Sequence, residues 1–327
     1  MFIKPFKQLN KKDVDIAGGK GASLGEMTQA GIPVPPGFVI IANAYEYFMQ
    51  ETPRSPVAET EIDIDAQFKK VNYDDTNSID QASNVIRDIM HDTKIPLKLA
   101  TQISKEFKKL RAKFVAVRSS ATAEDSSIAS WAGELETYLN TTEKTLLQNV
   151  KRCWSSLFTP RAIFYRYEKN LVDQKVHVAV VVQKMVQSEI SGICFTVHPV
   201  TKDKNQMVIE AGWGLGEAIV SGQITPDTYV VDKRDFSISD INVSEQKRML
   251  VKKAGFGIEW KPVPKSRADK QVLNGSHIVE LSKLCAKIER HYKYPQDIEW
   301  AYEGGKFYIT QSRPITTLLC YYKIIRL

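Results

Sequence analysis

Apolar and polar positions follow two different periods along this 327-residue chain, and the switches between them mark its elements. Val178 to Met185 is a dense β-branched run of the kind that fills a central strand. Phe114 to Val117, just ahead of Arg118-Ser119-Ser120, reads as a second buried strand, with further strands at Phe38 to Ile41, Ser191 to Thr196, Gln206 to Glu210 and Tyr229 to Asp232. Helical spacing predicts helices over about residues 22–30, 43–50, 79–92, 96–111, 142–168 and 277–292. In the 79–92 helix Val85, Ile86, Ile89 and Met90 have core-like spacing, and in the last helix Ile278, Leu281, Leu284 and Ile288 form one stripe. Pro33, Pro35 and Pro36 exclude a helix and make residues 31–37 an extended connector. Residues 51–77 lose apolar content and gather Pro, Asp and Thr, as a loop or weakly packed insertion does, while residues 212–222 read as a glycine-rich loop. Strands and helices alternate without the regular period of a doubly wound sheet. The expected class is therefore α+β in two lobes, with a break near residues 184–191.

Two strand-like runs flank Gly304-Gly305 near the end of the chain. In the first, Asp297 and Glu299 alternate with Ile298, Trp300 and Tyr302, so the pleat puts both carboxylates on one face, roughly 7 Å apart. In the second, Gln311 and Arg313 share a face. Two carboxylates and an amide oxygen suit Mg²⁺, and a guanidinium fork suits a phosphate. The same pattern also describes a surface hairpin with a solvated acidic edge. A two-residue Gly304-Gly305 loop sets Ile298 opposite Gln311 and separates the candidate ligands onto two faces. A functional site therefore requires a three-residue loop over Glu303, Gly304 and Gly305, which sets Asp297 opposite Gln311, or a β-bulge, with a glycine in the left-handed region.

Composition narrows the field without deciding it. With 43% hydrophobic and 25% charged residues, 17 glycines and 14 prolines, the chain is near globular averages and long enough for one large or two ordinary domains. The net charge of +7 is spread along the chain rather than gathered with aromatics, which suits a polyphosphate ligand and argues against nucleic acid. Cys153, Cys194, Cys285 and Cys320 form no metal-type or redox-type pair and read as buried thiols of a cytoplasmic protein. No apolar stretch approaches the ~18 residues of a membrane span, and the N-terminus has no signal-peptide core. His91, His177, His198, His277 and His291 read as structural or exposed. Gly18-Gly19-Lys20-Gly21 is either a plain turn or a place where backbone approaches a polyphosphate.

GGKGASLGEM at 18–27, GIPVPPGF at 31–38, VRSSATAED at 117–125, AGE at 132–134, GWGLGEAIVSG at 212–222, DIEW at 297–300 and QSRP at 311–314 together carry a resemblance. They resemble the nucleotide-binding domain of phosphoenolpyruvate synthase and its relatives, pyruvate phosphate dikinase and rifampicin phosphotransferase, over about residues 8–318. The resemblance implies an ATP-grasp-like fold whose two lobes, 1–186 and 187–318, clamp ATP and Mg²⁺, followed by a non-family tail at 319–327. It implies Lys20, Arg118 and Arg313 as phosphate ligands with a catalytic part, Glu299 and Gln311 as Mg²⁺ ligands assisted by Asp297, Gly133 and Thr137 over the phosphates, and Gln183 and Met185 at adenine. It also implies a partner, a phosphohistidine domain that this sequence does not contain. The SRPITTL ending resembles the rifampicin phosphotransferase branch more than typical phosphoenolpyruvate synthases, which keeps an antibiotic kinase as the alternative to a pyruvate-directed enzyme. A non-catalytic nucleotide-binding module is a further alternative.

Overall fold

The β-branched segment predicted to be central is central. In the computed structural model, which describes residues 1–50, 64, 66–122, 136–172 and 176–315, strand β5 (Val178–Lys184) is flanked by β2 (Gly37–Ile40) and β3 (Val115–Ala121). The described chain divides into two units, Met1–Glu26 with Pro36–Met185, and Met27–Pro35 with Val186–Leu327.

The first unit holds a five-stranded antiparallel sheet in the order β1-β2-β5-β3-β4, with β1 at Ile3–Pro5 and β4 at Thr137–Thr141. Its helices are α1 (Val14–Gln29), α2 (Ala42–Gln50), α3 (Thr76–Asp92), α4 (Leu97–Lys109), α5 (Glu143–Ser155) and α6 (Pro160–Glu168). The pleat separates two jobs. Phe38, Ile40, Val115, Val117, Val178, Val180 and Val182 point into the main core with Phe48, Ile86, Leu146, Val150 and Trp154. Val39, Arg118, Ser120, Val181 and Gln183 alternate with them and lie on the opposite face.

Three expectations change here. The single helix predicted over 142–168 is two helices, broken by a 3₁₀ turn at Ser156–Phe158, because Pro160 cannot sit inside a helix but suits the first turn of α6, where the Thr159 hydroxyl accepts from Ala162 N–H at 3.2 Å. Val85 is exposed while Ile86 and Met90 are buried. Helix α1 starts at Val14 rather than Ala22 and kinks at Gly18, whose φ of 67° and ψ of 169° are not helical. Residues 51–63 and 65 of the 51–77 insertion lie outside the described residues; the described part runs into α3, capped by the Asp75 carboxylate accepting from Asn77 N–H.

The second unit is a six-stranded antiparallel sheet in the order β13-β12-β6-β7-β8-β9, comprising β6 (Ile190–Phe195), β7 (Gln206–Trp213), β8 (Asp227–Asp232), β9 (Ile238–Asn242), β12 (Gln296–Glu303) and β13 (Lys306–Pro314). The expected loop at 212–222 is shorter than its glycines suggested: β7 continues to Trp213, Gly214 turns at φ 83°, and the short helix α7 (Glu217–Val220) follows. A separate hairpin of β10 (Arg248–Lys252) and β11 (Ile258–Pro262) had no strong sequence signal, and neither did β9. Helix α8 (Gly275–Tyr292) buries Ile278, Leu281, Cys285 and Ile288, and Cys285 neighbours Cys194 of β6. Cys153, Cys194 and Cys285 are free and buried.

A buried carboxylate ties the long connections of this unit to β8. Asp227 is fully buried; its Oδ1 accepts from Ser244 N–H at 3.1 Å and Gln246 Nε2 at 3.3 Å, and its Oδ2 from Tyr229 O–H and Val272 N–H, both at 2.8 Å. Burial and the neighbouring Asp227 push the Tyr229 phenol far above its ordinary value. Removing the carboxylate leaves several buried donors unpaired, each costing about 1–3 kcal/mol. Asp227→Ala is therefore expected to destabilise the chain by about 3 kcal/mol or more, read as a lower urea midpoint at unchanged slope. A loss below about 1 kcal/mol would show that these connections hold without it.

Candidate functional site

The β12–β13 hairpin is the place where geometry was in question. Its loop is the two-residue one: Glu303 pairs with Lys306, and Gly304 and Gly305 have φ of 57° and 80°, both in the left-handed region that a type I′ turn demands. The three-residue loop expected as one alternative is absent. The strands instead slip between Trp300, which faces Ile309, and Glu299, which faces Gln311, so Thr310 is the extra residue of a β-bulge. That slip sets Glu299, not Asp297, opposite Gln311, and Asp297 opposite Arg313. All four side chains share one face of the sheet. Ile298, Trp300, Phe307 and Ile309, all buried, take the other face.

Arg313 is forked onto one carboxylate oxygen: its Nε and Nη2 stand 2.9 Å and 2.8 Å from Asp297 Oδ2. Burial raises the Asp297 carboxyl above its usual range, Arg313 pulls it back and Glu299 raises it further. A third acid joins the row. Glu210 of β7 faces Ile193 of β6, which faces Glu299 of β12, so it lies on the same face two strands away. Glu210 is also raised, first by burial and then by Asp297. Sequence reading passed over it, although one acid inside Met207-Val208-Ile209 and Ala211 was a signal. Among the described residues no group of three or more His, Cys, Asp or Glu forms a ready-made metal cage. The donor set here is oxygen only, two carboxylates and an amide, which matches Mg²⁺ when phosphate oxygens complete it.

Of the other predicted residues, Arg118, Thr137 and Gln183 belong to the first unit and lie on the face of its sheet opposite the main core. Arg118, 8% exposed, sits on β3 with Val181 on one side and Thr137 on the other. Gln183 is 2% exposed, and its Nε2 is buried without a hydrogen-bond partner, a donor suited to a ring nitrogen of a base. Met185 follows β5 directly, and its N–H donates to Phe114 O at 3.1 Å. Lys20 lies just after the Gly18 kink in α1 rather than in an open turn, and the Ser120 hydroxyl meets the backbone on both sides of that kink. Gly133 lies outside the described residues. Glu136, also unforeseen, is the post where the chain re-enters the sheet: its carbonyl accepts from Ser119 N–H and Oγ at 3.1 Å and 2.8 Å, and its carboxylate meets Arg87 at 3.1 Å and the Tyr138 hydroxyl.

Two raised carboxyls on one face mean that deprotonation strains this sheet. Their folded forms hold protons more tightly than the unfolded chain does, so their stabilising contribution is complete below the ordinary carboxylate range and is lost as pH rises through their folded values. Replacing Glu210 by Gln removes its share of that loss. Glu210→Gln should melt about 1–3 °C above wild type at pH 7, with the gap closing below pH 4. An equal or lower melting point at pH 7 would show that Glu210 is not penalised by its charge.

Compared with known proteins, residues 14–319 match the family profile described as pyruvate phosphate dikinase, AMP/ATP-binding domain. A probable phosphoenolpyruvate synthase of Archaeoglobus fulgidus is 47% identical over 95% of this chain and 41% of its own length. One from Pyrococcus abyssi is 42% identical over 97% of this chain and 44% of its own length. A rifampicin phosphotransferase of a Streptomyces species is 38% identical over 94% of this chain and 36% of its own length. The chain thus spans less than half the length of these curated relatives.

Proposed function

This chain belongs to the pyruvate phosphate dikinase AMP/ATP-binding domain family, and from that membership we propose that it binds ATP with Mg²⁺ and passes a phosphoryl group to a histidine on a separate domain. In this reading the fold is ATP-grasp-like, and residues 1–186 and 187–318 are its two lobes. The observation that carries it is the Thr310 bulge, which gathers Asp297, Glu299, Gln311 and Arg313 on one sheet face despite an even loop. Glu299 and Gln311 would hold the metal, and Asp297 would assist while keeping Arg313 in place. Bound Mg²⁺ supplies positive charge to the polyphosphate and relieves the repulsion among the acids. Lys20, Arg118 and Arg313 neutralise phosphate charge, which is most of what phosphoryl transfer requires of a protein. Thr137, opposite Arg118, and Gly133 accompany the phosphates, and the unpartnered Gln183 amide with Met185 receives adenine. The higher identities to phosphoenolpyruvate synthases than to the rifampicin enzyme favour the pyruvate-directed branch over the antibiotic one suggested by the SRPITTL ending.

Titration calorimetry separates the roles. Glu299→Ala and Gln311→Ala should each weaken ATP binding in the presence of Mg²⁺ and have little effect without it, and equal MgATP affinity of both variants and wild type would sink the metal assignment. Lys20→Ala and Arg118→Ala should each lose about 1.5–3 kcal/mol for ATP while keeping adenosine affinity. A parallel fall in both would make them fold residues.

Incubation of the purified chain with radiolabelled ATP tests the transfer step. Slow hydrolysis and no phosphorylated pyruvate or rifampicin are expected, with label appearing on a family histidine domain when one is supplied. Efficient product formation by the chain alone would overturn the need for a separate acceptor domain.

A further inference from the structure

The Gly18 kink has an unusual filler. In an unbroken helix Gly21 N–H would bond directly to Ala17 O, four residues earlier. Here the Ser120 hydroxyl stands between them, accepting from Gly21 N–H at 3.3 Å and donating to Ala17 O at 3.0 Å. Insertion of a side chain into the i→i−4 ladder is one of the few causes of a sharp kink. Ser120 reaches it from β3 and is fully buried, two residues beyond Arg118 and on the same sheet face.

Glycines make this approach possible. A Cβ at Gly18 would lie 2.2 Å from Ser120 Oγ and 2.4 Å from its carbonyl oxygen, and the φ of 67° disfavours a side chain in any case. On the same helix a Cβ at Gly21 would lie 3.0 Å from Val39 Cγ2, and one at Gly25 2.5 Å from Leu9 Cβ. Residues 18–25 therefore lie against the rest of their unit at backbone distance, and Lys20 is carried between two of the three contacts.

We propose that Ser120 is a positioning residue for nucleotide phosphate binding: its hydroxyl wedges open the helix at Gly18 and holds the backbone that carries Lys20 against the strand that carries Arg118. The inference rests on the reading of Lys20 and Arg118 as phosphate ligands. It sets Ser120 apart from Ser119, whose hydroxyl points to the other face and donates to Glu136 O. Without the hydroxyl, Ala17 and Gly21 can pair directly. The helix then regains its bond, and what changes is the placement of Lys20 rather than the stability of the fold.

Ser120→Ala, measured by titration calorimetry with MgATP and with adenosine, should lose about tenfold in MgATP affinity, keep its adenosine affinity and melt close to wild type. In a Lys20→Ala background the same substitution should cost nothing further, because it acts through Lys20. Hydrogen exchange at the Gly21 amide should change in Ser120→Ala. Unchanged MgATP affinity, an equal loss for adenosine, or an additive loss in the Lys20→Ala background overturns the proposal. If Lys20→Ala itself binds MgATP as wild type does, the phosphate reading of Lys20 fails instead. The wedge is then judged on exchange alone, and unchanged exchange at Gly21 overturns it too. Should Ser120→Ala be too unstable to titrate, Ser120→Cys, with similar volume and a weaker donor, carries the same comparisons and should fall between alanine and wild type.

Discussion

One extra residue in a strand decides which side chains of the last hairpin work together. A strand has a side-chain period of two, so a hairpin closed by the Gly304-Gly305 turn would send Glu299 and Gln311 to opposite faces. Thr310 absorbs one step of register, and from that point to Pro314 every residue of β13 is on the other side of the sheet from where the turn alone would put it. Before the bulge the hairpin is a packing device that buries Trp300, Phe307 and Ile309. After it, the same two strands present acids, an amide and a guanidinium on one face.

That arrangement has an electrostatic cost visible in its neighbours. Asp297, Glu299 and Glu210 share a face, and burial and mutual repulsion raise the carboxyls of Asp297 and Glu210. Arg313 offsets part of this by donating twice to Asp297. An ordinary surface hairpin has no reason to gather acids in a half-buried row, whereas a site that receives a cation does, since the cation removes the penalty on binding. The first unit is built on the complementary principle. Its sheet gives one face to aliphatic packing and the other to Arg118, Ser120 and Gln183, with glycines at 18, 21 and 25 letting a helix lie against that unit at backbone distance.

Some of this was legible in the chain. Residues 178–185 could only be a buried strand, and the stripe from Ile278 to Ile288 could only be a helix packed on one side. The candidate residues were found from motifs and from alternation, which depend on nearest neighbours. Glu210 escaped because its relevance comes from Ile193 and Glu299 on two further strands, contacts that no local pattern encodes. The break at Thr159-Pro160 was legible but was overridden by a run of apolar residues on either side. β9, β10 and β11 were not legible, because their residues are mostly exposed and lack clear alternation.

The sequence by itself determined the family, the α+β class and the inventory of chemical groups, because those rest on residue identity and short-range periodicity. Tertiary structure decided register and proximity. Whether Glu299 meets Gln311 depends on a bulge whose residue, Thr310, has no distinctive composition. Whether Lys20 follows a turn or a wedged helix depends on a serine about a hundred residues away, whose hydroxyl substitutes for a backbone bond. Both are long-range choices between backbone alternatives of similar local energy, and only the packed chain distinguishes them.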